Sequence, residues 1–457
     1  MTTTVRPTQY LSFWKKYSGN ADIQSMMASD HCDILSELPD FTNQVVVDVG
    51  AGIGRFTSTF AERAKLVIST DFIDSFIEKN RERNARFHNI EYQVNDAANL
   101  ELEAESTDLL FTNWLLMYLR DEEVVNFLQN ALKWLKEGGF LHLRESCTES
   151  TTGAKSANGS LHQAENNPTH YRHASVYIQL LREIRWRDAG GRVWKFDVRW
   201  AHSVPTYVEK LHNWRQVHWL VQKKAAAEES GMEHPTALLM HMLQSHVLQN
   251  HTEFLLDDKT TWTNAVFGEA FRSLQPFKSG QTLLAYSPRL ISPFVHVDPH
   301  SLAKIGGVNV WTVEQNPYFF SASLTKANRM KNTSVRYAWN QDLNGALDYW
   351  QKKGAQFDGF VSTELLISTG GQKALEGLKR ALRSGAHVFL LEPAAISLKE
   401  FEERHAELIR RHFELISITD VSDFDDSNEC QRKQRFDSSS QGALAGPTWF
   451  LVHARLH

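Results

Sequence analysis

Cysteine is scarce: the chain has three in 457 residues, Cys32, Cys147 and Cys430. Three scattered thiols exclude a disulfide scaffold and a paired-cysteine zinc centre, so no metal is expected and the thiols read as free. No apolar run approaches the roughly 18 residues that span a bilayer, and the polar start, Met1 to Pro7, lacks the apolar core of a secretory signal. A cytoplasmic location without membrane contact is therefore expected. An excess of positive charge is missing too: Lys and Arg number 49 against 54 Asp and Glu, for a formal charge of −5. Nucleic-acid binders neutralise phosphates with a basic surface. No nucleic-acid partner is expected, which leaves a small molecule or a protein as substrate. What is plentiful is length, beyond the roughly 250 to 300 residues at which one core stops growing, so two or more domains are expected.

The richest local signal runs from Val45 to Arg55: an apolar strand, a carboxylate at Asp48, then Gly50, Gly52 and Gly54. Alternating glycines are needed where a strand turns sharply into a helix and a ligand approaches the main chain closely. A dinucleotide site would place a third small residue where this chain has Arg55. Read as Asp48-x-Gly50-x-Gly52-x-Gly54, the run resembles the first motif of class I S-adenosylmethionine methyltransferases, whose acid faces the methionine part of the cofactor.

The following strand ends separate NAD from S-adenosylmethionine. After a helix expected over Phe56 to Ala64, the strand from Leu66 ends at Asp71-Phe72, about 20 residues beyond Gly50, where an acid can accept both ribose hydroxyls. The strand Ile90 to Val94 ends in Asn95-Asp96-Ala97, where the methyltransferase family sets an acid against the adenine amino group. Thr107 to Asn113 reads as a fourth strand, Lys133 to Gly139 as the close of a helix, and Phe140 to Glu145 as a fifth strand. One acid at a strand end is commonly a cap or turn former. Three in succession on the ligand edge of a parallel sheet point to a nucleotide site.

The strand and helix alternation occurs twice. The segment Trp134 to Glu145 matches Ala381 to Glu392 at one constant offset, and Glu314 after its strand echoes Asp71. The place of the glycine run is taken by Thr282 to Arg289, with no glycine, and Pro288 removes a backbone N–H there. The expectation is an α/β protein: a class I methyltransferase Rossmann-like doubly wound sheet in residues 1–230, then a degenerate Rossmann-like domain in 231–457. Trp194 to Trp200 and Asn213 to Val221 read as late antiparallel strands. Gln222 to Met232 reads as a helical connector.

Asp48 to Thr57, Asn113 to Leu119, Arg144 to Cys147 and Asn167 to Arg172 together resemble the phosphoethanolamine N-methyltransferases, and the layout resembles the nematode type with its active domain at the N-terminus. The resemblance implies methylation of phosphoethanolamine to phosphomonomethylethanolamine, with S-adenosyl-L-homocysteine as the other product. This is the first step toward phosphocholine and phosphatidylcholine, with a second methyltransferase finishing the series. It implies cofactor contacts at Asp48, Gly50, Gly52, Arg55, Asp71, Phe72, Asp96, Ala97 and Asn113. Ser146, His170, Tyr171, Arg172 and Tyr177 fall where the phosphobase is held, with Arg172 expected on the phosphate.

Single-domain members use a Tyr and His dyad, but this chain has Met117, flanked by Tyr118, where the histidine belongs. Proton removal then falls to Tyr171, or to Tyr17 or Tyr10 on an N-terminal lid over residues 8–35. Two alternatives stay open: a methyltransferase acting on another small amine or a carboxylate, and a non-catalytic S-adenosylmethionine-binding partner subunit.

Overall fold

The computed structural model describes residues 30–148, 169–226, 231–255, 262–287, 297–340, 342–366, 371–422 and 448–457. The chain divides into two compact units, Met1–Asn250 and His251–His457. The division falls inside the helix Pro235–Leu255, beyond the expected boundary at 230.

The first unit is built on β1 (Val45–Val49), β2 (Leu66–Asp71), β3 (Ile90–Val94), β4 (Thr107–Thr112), β5 (Leu135–Ser146), β6 (Arg185–Arg187), β7 (Val193–Ser203) and β8 (Gln216–Ala225). Their order is β7-β8-β5-β4-β1-β2-β3, with β6 on the outside of β7. Strands β3 to β5 run parallel, and β8 and β7 complete the sheet antiparallel. The middle strands are continuously apolar because helices cover both faces. Val46, Leu109, Phe111, Phe56 and Phe60 pack on one face. On another helix, Asp121–Trp134, the residues Val124, Val125, Phe127, Leu128, Ala131 and Leu132 recur at helical spacing and are buried.

The second unit uses β9 (Thr282–Ser287), β10 (Asn309–Glu314), β11 (Val335–Trp339), β12 (Phe357–Thr363), β13 (Leu382–Ala394), β14 (Glu414–Asp420) and β15 (Thr448–Arg455). Their order, β14-β15-β13-β12-β9-β10-β11, is the plan of the first unit again. Small devices repeat as well. The amide N–H of Val45 donates to Asp108 Oδ2 at 2.9 Å, and Lys136 Nζ lies 2.7 Å from the same oxygen. In the second unit the N–H of Thr282 donates to Asp358 Oδ2 at 2.8 Å, and Arg383 Nη1 reaches Asp358 Oδ1 at 2.7 Å. Trp114 and Glu364 share positive φ, 58° and 55°, just after the fourth strand of each unit.

Local expectations shift in three places. The helix after the glycines is shorter, Thr57–Ala61. Residues 135–139 are not helix: β5 starts at Leu135 and meets β4 through a register shift between Thr107 and Leu109. The first part of the expected helical connector is strand, because β8 stays paired with β7 as far as Ala225 opposite Trp194. Cross-strand pairing overrode the Ala-rich helix propensity there.

Candidate active site

The glycine turn lies on the C-terminal edge of the first sheet, between β1 and the helix Thr57–Ala61. Gly50, Gly52 and Gly54 adopt φ of 71°, 57° and 81°, which L side chains rarely tolerate. The amides of Gly50 and Ala51 donate to the Thr70 carbonyl at 2.8 and 3.0 Å, tying the turn to β2. A Cβ on Gly52 would meet nothing within 4 Å, so this residue leaves an open face beside the backbone.

Asp71 closes the turn from the β2 side. Its Oδ2 accepts the Gly52 N–H at 2.9 Å and its Oδ1 accepts the Ile73 N–H at 2.9 Å. Burial outweighs these bonds and pushes the carboxyl up to about 6. Asp48 lies deeper, 2% exposed, and accepts from Thr57 Oγ1 at 2.7 Å. Burial lifts it to about 7, opposed by the Thr57 hydrogen bond and reinforced by the charge of Asp71. Its partner is thus the first turn of the following helix. Asp96 caps the short 3₁₀ turn Ala97–Asn99 by accepting the Ala98 N–H at 3.0 Å. The carboxyls of Asp48 and Asp71 have folded pKa values above the ordinary one. Between pH of about 4 and about 7 the folded state holds protons the unfolded chain has lost, so they subtract stability as pH rises through that window.

A second layer comes from β4, β5 and β8. Asn113 Oδ1 accepts from Arg144 Nη1 at 3.3 Å, and Arg144 is fully buried with its guanidinium 3.6 Å from the centre of the Trp114 ring. Trp114 Nε1 donates to Gln216 Oε1 at 2.9 Å, and Gln216 Nε2 donates to Ser146 Oγ at 2.9 Å. Trp114, Phe72 and Tyr171 pack against Met117 and Tyr118. The turn at 115–117 is held by Glu145, whose carboxylate accepts the amides of Leu115, Leu116 and Met117 at 3.2, 2.8 and 3.1 Å. Burial pushes Glu145 up to about 7.

Two expected substrate ligands lie inside the fold. Arg172 is 2% exposed and its donors are engaged within the fold: Nε to Asp121 Oδ1 at 2.8 Å, Nη1 to the Leu116 carbonyl at 3.0 Å, and Nη2 to the Leu119 carbonyl at 2.7 Å. It braces the 116–119 turn. Tyr177 is fully buried, 3.4 Å from Arg172 Nη1 and tilted against Trp219, with its phenol pushed well above the usual range by burial. It belongs to the core. His170 is exposed and its amide donates to the Met117 carbonyl at 2.7 Å, which places it beside Tyr171 at the rim. Tyr10, Tyr17 and the lid as far as residue 29 lie outside the described residues, as do Asn167 and Pro168.

Sequence reasoning missed Asp30, Trp114, Gln216 and Tyr207. Asp30 is fully buried and accepts from Arg55 Nη1 at 2.6 Å, Arg144 Nη2 at 3.3 Å and the Tyr207 hydroxyl at 3.1 Å. One signal was legible: Arg144 and Glu145 are adjacent charges ending an apolar strand, and such groups are buried only when paired.

A family model described as a methyltransferase domain matches residues 46–139. Phosphoethanolamine N-methyltransferase 1 of Caenorhabditis elegans is 46% identical over 433 residues, covering 92% of this chain and 89% of that protein. A wheat (Triticum aestivum) phosphoethanolamine N-methyltransferase 1 is 35% identical, over 49% of this chain and 45% of its own length. Among solved structures, Haemonchus contortus phosphoethanolamine N-methyltransferase 1, in complex with phosphoethanolamine and S-adenosylhomocysteine, superposes with a TM-score of 0.89 at 42% identity, covering 100% of this chain and 99% of that one.

Proposed function

The chain belongs to the phosphoethanolamine N-methyltransferases, and from that premise we infer that it transfers a methyl group from S-adenosylmethionine to the nitrogen of phosphoethanolamine. The observation that carries this reading is the likeness to the nematode enzyme across both units, since a match to the first unit alone would support only a methyltransferase. The product of one turnover is the monomethyl phosphobase, with a second methyltransferase completing the series toward phosphocholine. The place of action is the cytoplasm; no helix among the described residues is long and apolar enough to cross a membrane.

The glycine turn fits the cofactor: Gly52 offers an open backbone face, and Asp71, oriented by two amides, accepts ribose hydroxyls when ionised. Asp96 and Ala97 border the adenine side, Phe72 and Asn113 the reacting side. The bound cofactor supplies an electrophilic methyl group; the protein supplies alignment and a route for a proton. Phosphoethanolamine carries an ammonium at neutral pH, so its nitrogen must be deprotonated before it attacks. With Met117 in the histidine position, Tyr171 at the pocket rim is the described hydroxyl placed to take part, and Tyr17 is the other candidate. Ser146 and His170 hold the phosphobase, Ser146 being oriented by Gln216. Alignment of the two substrates beside the apolar cluster of Phe72, Trp114, Met117 and Tyr118 accounts for much of the acceleration.

Mass analysis of products from S-adenosylmethionine with phosphoethanolamine and with its monomethyl and dimethyl forms tests the reading. Monomethyl product from the first substrate is expected, and equal turnover of plain ethanolamine would overturn the phosphobase assignment. Asp71→Ala is expected to weaken S-adenosylhomocysteine binding by about 1 to 3 kcal/mol; unchanged affinity by calorimetry would remove Asp71 from the site. Because the ionised carboxylate is the competent acceptor, affinity in the parent protein should fall as pH drops below about 6, approaching roughly tenfold per unit. The Asp71→Ala protein should lose that dependence.

A further inference from the structure

Asp30 lies within the expected lid segment 8–35 but is none of the residues assigned to cofactor or substrate, and three hydrogen bonds converge on it from three parts of the first unit. It lies on a helical stretch at 30–36, and its carboxylate is fully buried. Oδ1 accepts from Arg55 Nη1 at 2.6 Å, and Arg55 directly follows the glycine turn. Oδ2 accepts from Arg144 Nη2 at 3.3 Å and from the Tyr207 hydroxyl at 3.1 Å. Arg144 in turn holds Asn113 Oδ1 at 3.3 Å through its other terminal nitrogen and lies over the Trp114 ring. Its backbone carbonyl accepts the Trp114 N–H at 2.7 Å. The same helical stretch is anchored a turn further on, where Asp33 Oδ2 accepts the Thr206 N–H at 2.7 Å.

One carboxylate thus stands between two guanidiniums, one belonging to the cofactor turn and the other to the strand ends that carry Asn113 and Ser146. Phe56 lies 4.4 Å beneath the Arg55 guanidinium, and Trp114 and Tyr207 lie 3.6 and 4.8 Å from that of Arg144, so both cations are set in aromatic surroundings. Without the carboxylate the fully buried Arg144 and the partly exposed Arg55 would repel each other with its charge gone from between them, and the repulsion is strongest on the Arg144 side, where water is excluded. The glycine turn and the ends of β4 and β5 would then settle independently.

We propose that Asp30 is a positioning residue that ties the cofactor turn to the acceptor side of the pocket, so that filling one half orders the other. This deepens the proposed function and rests on it. A ligand on the glycine turn fixes Arg55, Asp30 follows, and Arg144 is held with Asn113 and Trp114 in the geometry the acceptor needs. The second ligand meets a site already ordered, and by linkage the coupling is the same in either direction.

The test is calorimetric titration of the full chain with S-adenosylhomocysteine, alone and with saturating phosphoethanolamine, and then in the reverse order. The parent protein is expected to bind each ligand about tenfold more tightly in the presence of the other, within the usual range of coupling. Asp30→Asn keeps the shape and removes the charge, and should bring that factor close to one. Tyr207→Phe removes a single donor and should give an intermediate factor if Asp30→Asn does not fold. Weaker binding of each ligand with the coupling factor unchanged would mean that Asp30 is only structural, and would overturn the proposal. So would a parent protein that binds both ligands without coupling. Failure of the parent protein to bind S-adenosylhomocysteine at all would instead overturn the proposed function.

Discussion

Gly54→Ala is expected to destabilise the first unit by about 2 to 5 kcal/mol and to abolish S-adenosylhomocysteine binding. Two costs add. At φ of 81° an L side chain is strained by about 1 to 2 kcal/mol. The new Cβ would also lie 2.0 Å from Asn80 Oδ1 and 2.7 Å from Asn84 Nδ2. Overpacking of this kind costs about 1 to 3 kcal/mol when neighbours yield slowly. Asn80 cannot retreat: it is fully buried, donates to Ser69 Oγ at 2.9 Å and Thr57 Oγ1 at 3.3 Å, and accepts from Asn84 at 2.8 Å. Moving it would break the polar cluster that also holds Asp48 through Thr57. Gly52→Ala is the control, because its Cβ meets nothing within 4 Å and only the strain at φ 57° applies. Denaturant unfolding followed by fluorescence separates the two. Equal midpoints for both variants would show that the Asn80 contact carries no weight.

Arg172→Ala is expected to cost about 2 to 6 kcal/mol of stability, chiefly from two buried carbonyls left without their donor at about 1 to 3 kcal/mol each, because Asp121 is 39% exposed and water screens the loss of its partner. The substitution strands the Leu116 and Leu119 carbonyls and removes the charge paired with Asp121 at 2.6 Å. Glu145 would also lose a nearby cation while still buried under the amides of Leu115 to Met117. The site then fails because the 115–119 turn, which carries Met117 and Tyr118 into the apolar cluster with Phe72, Trp114 and Tyr171, has lost its support. Lysine is a poor substitute: one ammonium cannot reach Asp121 and two carbonyls in the places a planar guanidinium does. The decisive measurement pairs unfolding with kinetics on the folded fraction. Unchanged stability with a raised KM for phosphoethanolamine would restore the phosphate-ligand role that the sequence suggested.

The engaged guanidinium of Arg172 shows what a linear sequence can and cannot carry. The position of the glycines, Asp71 and Asp96 at strand ends was legible because strand-to-helix turns impose a fixed spacing, and spacing survives in one dimension. The succession of strands and helices along the chain was legible for the same reason, since apolar runs alternate with helical ones in both halves. The bracing partners of Arg172 were not legible because an arginine beside Tyr171 has the same letters whether it faces a phosphate or three partners inside the fold. Asp30 was invisible for the converse reason: its partners Arg55, Arg144 and Tyr207 come from three distant stretches, and only the closed sheet brings them to one carboxylate. The connector beyond Gln222 was taken for helix because local propensity was the sole guide, while its pairing with Trp194 and Lys195 is a tertiary fact.

The carboxylates of Asp108 and Asp358 each secure the first residue of a central strand, at the end of the sheet away from the ligand edge. The two ends of such a sheet are therefore exposed to different selection. Substitutions at the ligand edge leave the far-end brace untouched, and the second unit, with no glycine from Thr282 to Ser287, keeps the same strand order as the first. A duplicated half can in this way lose its chemistry and keep its shape, and remain raw material for a new pocket.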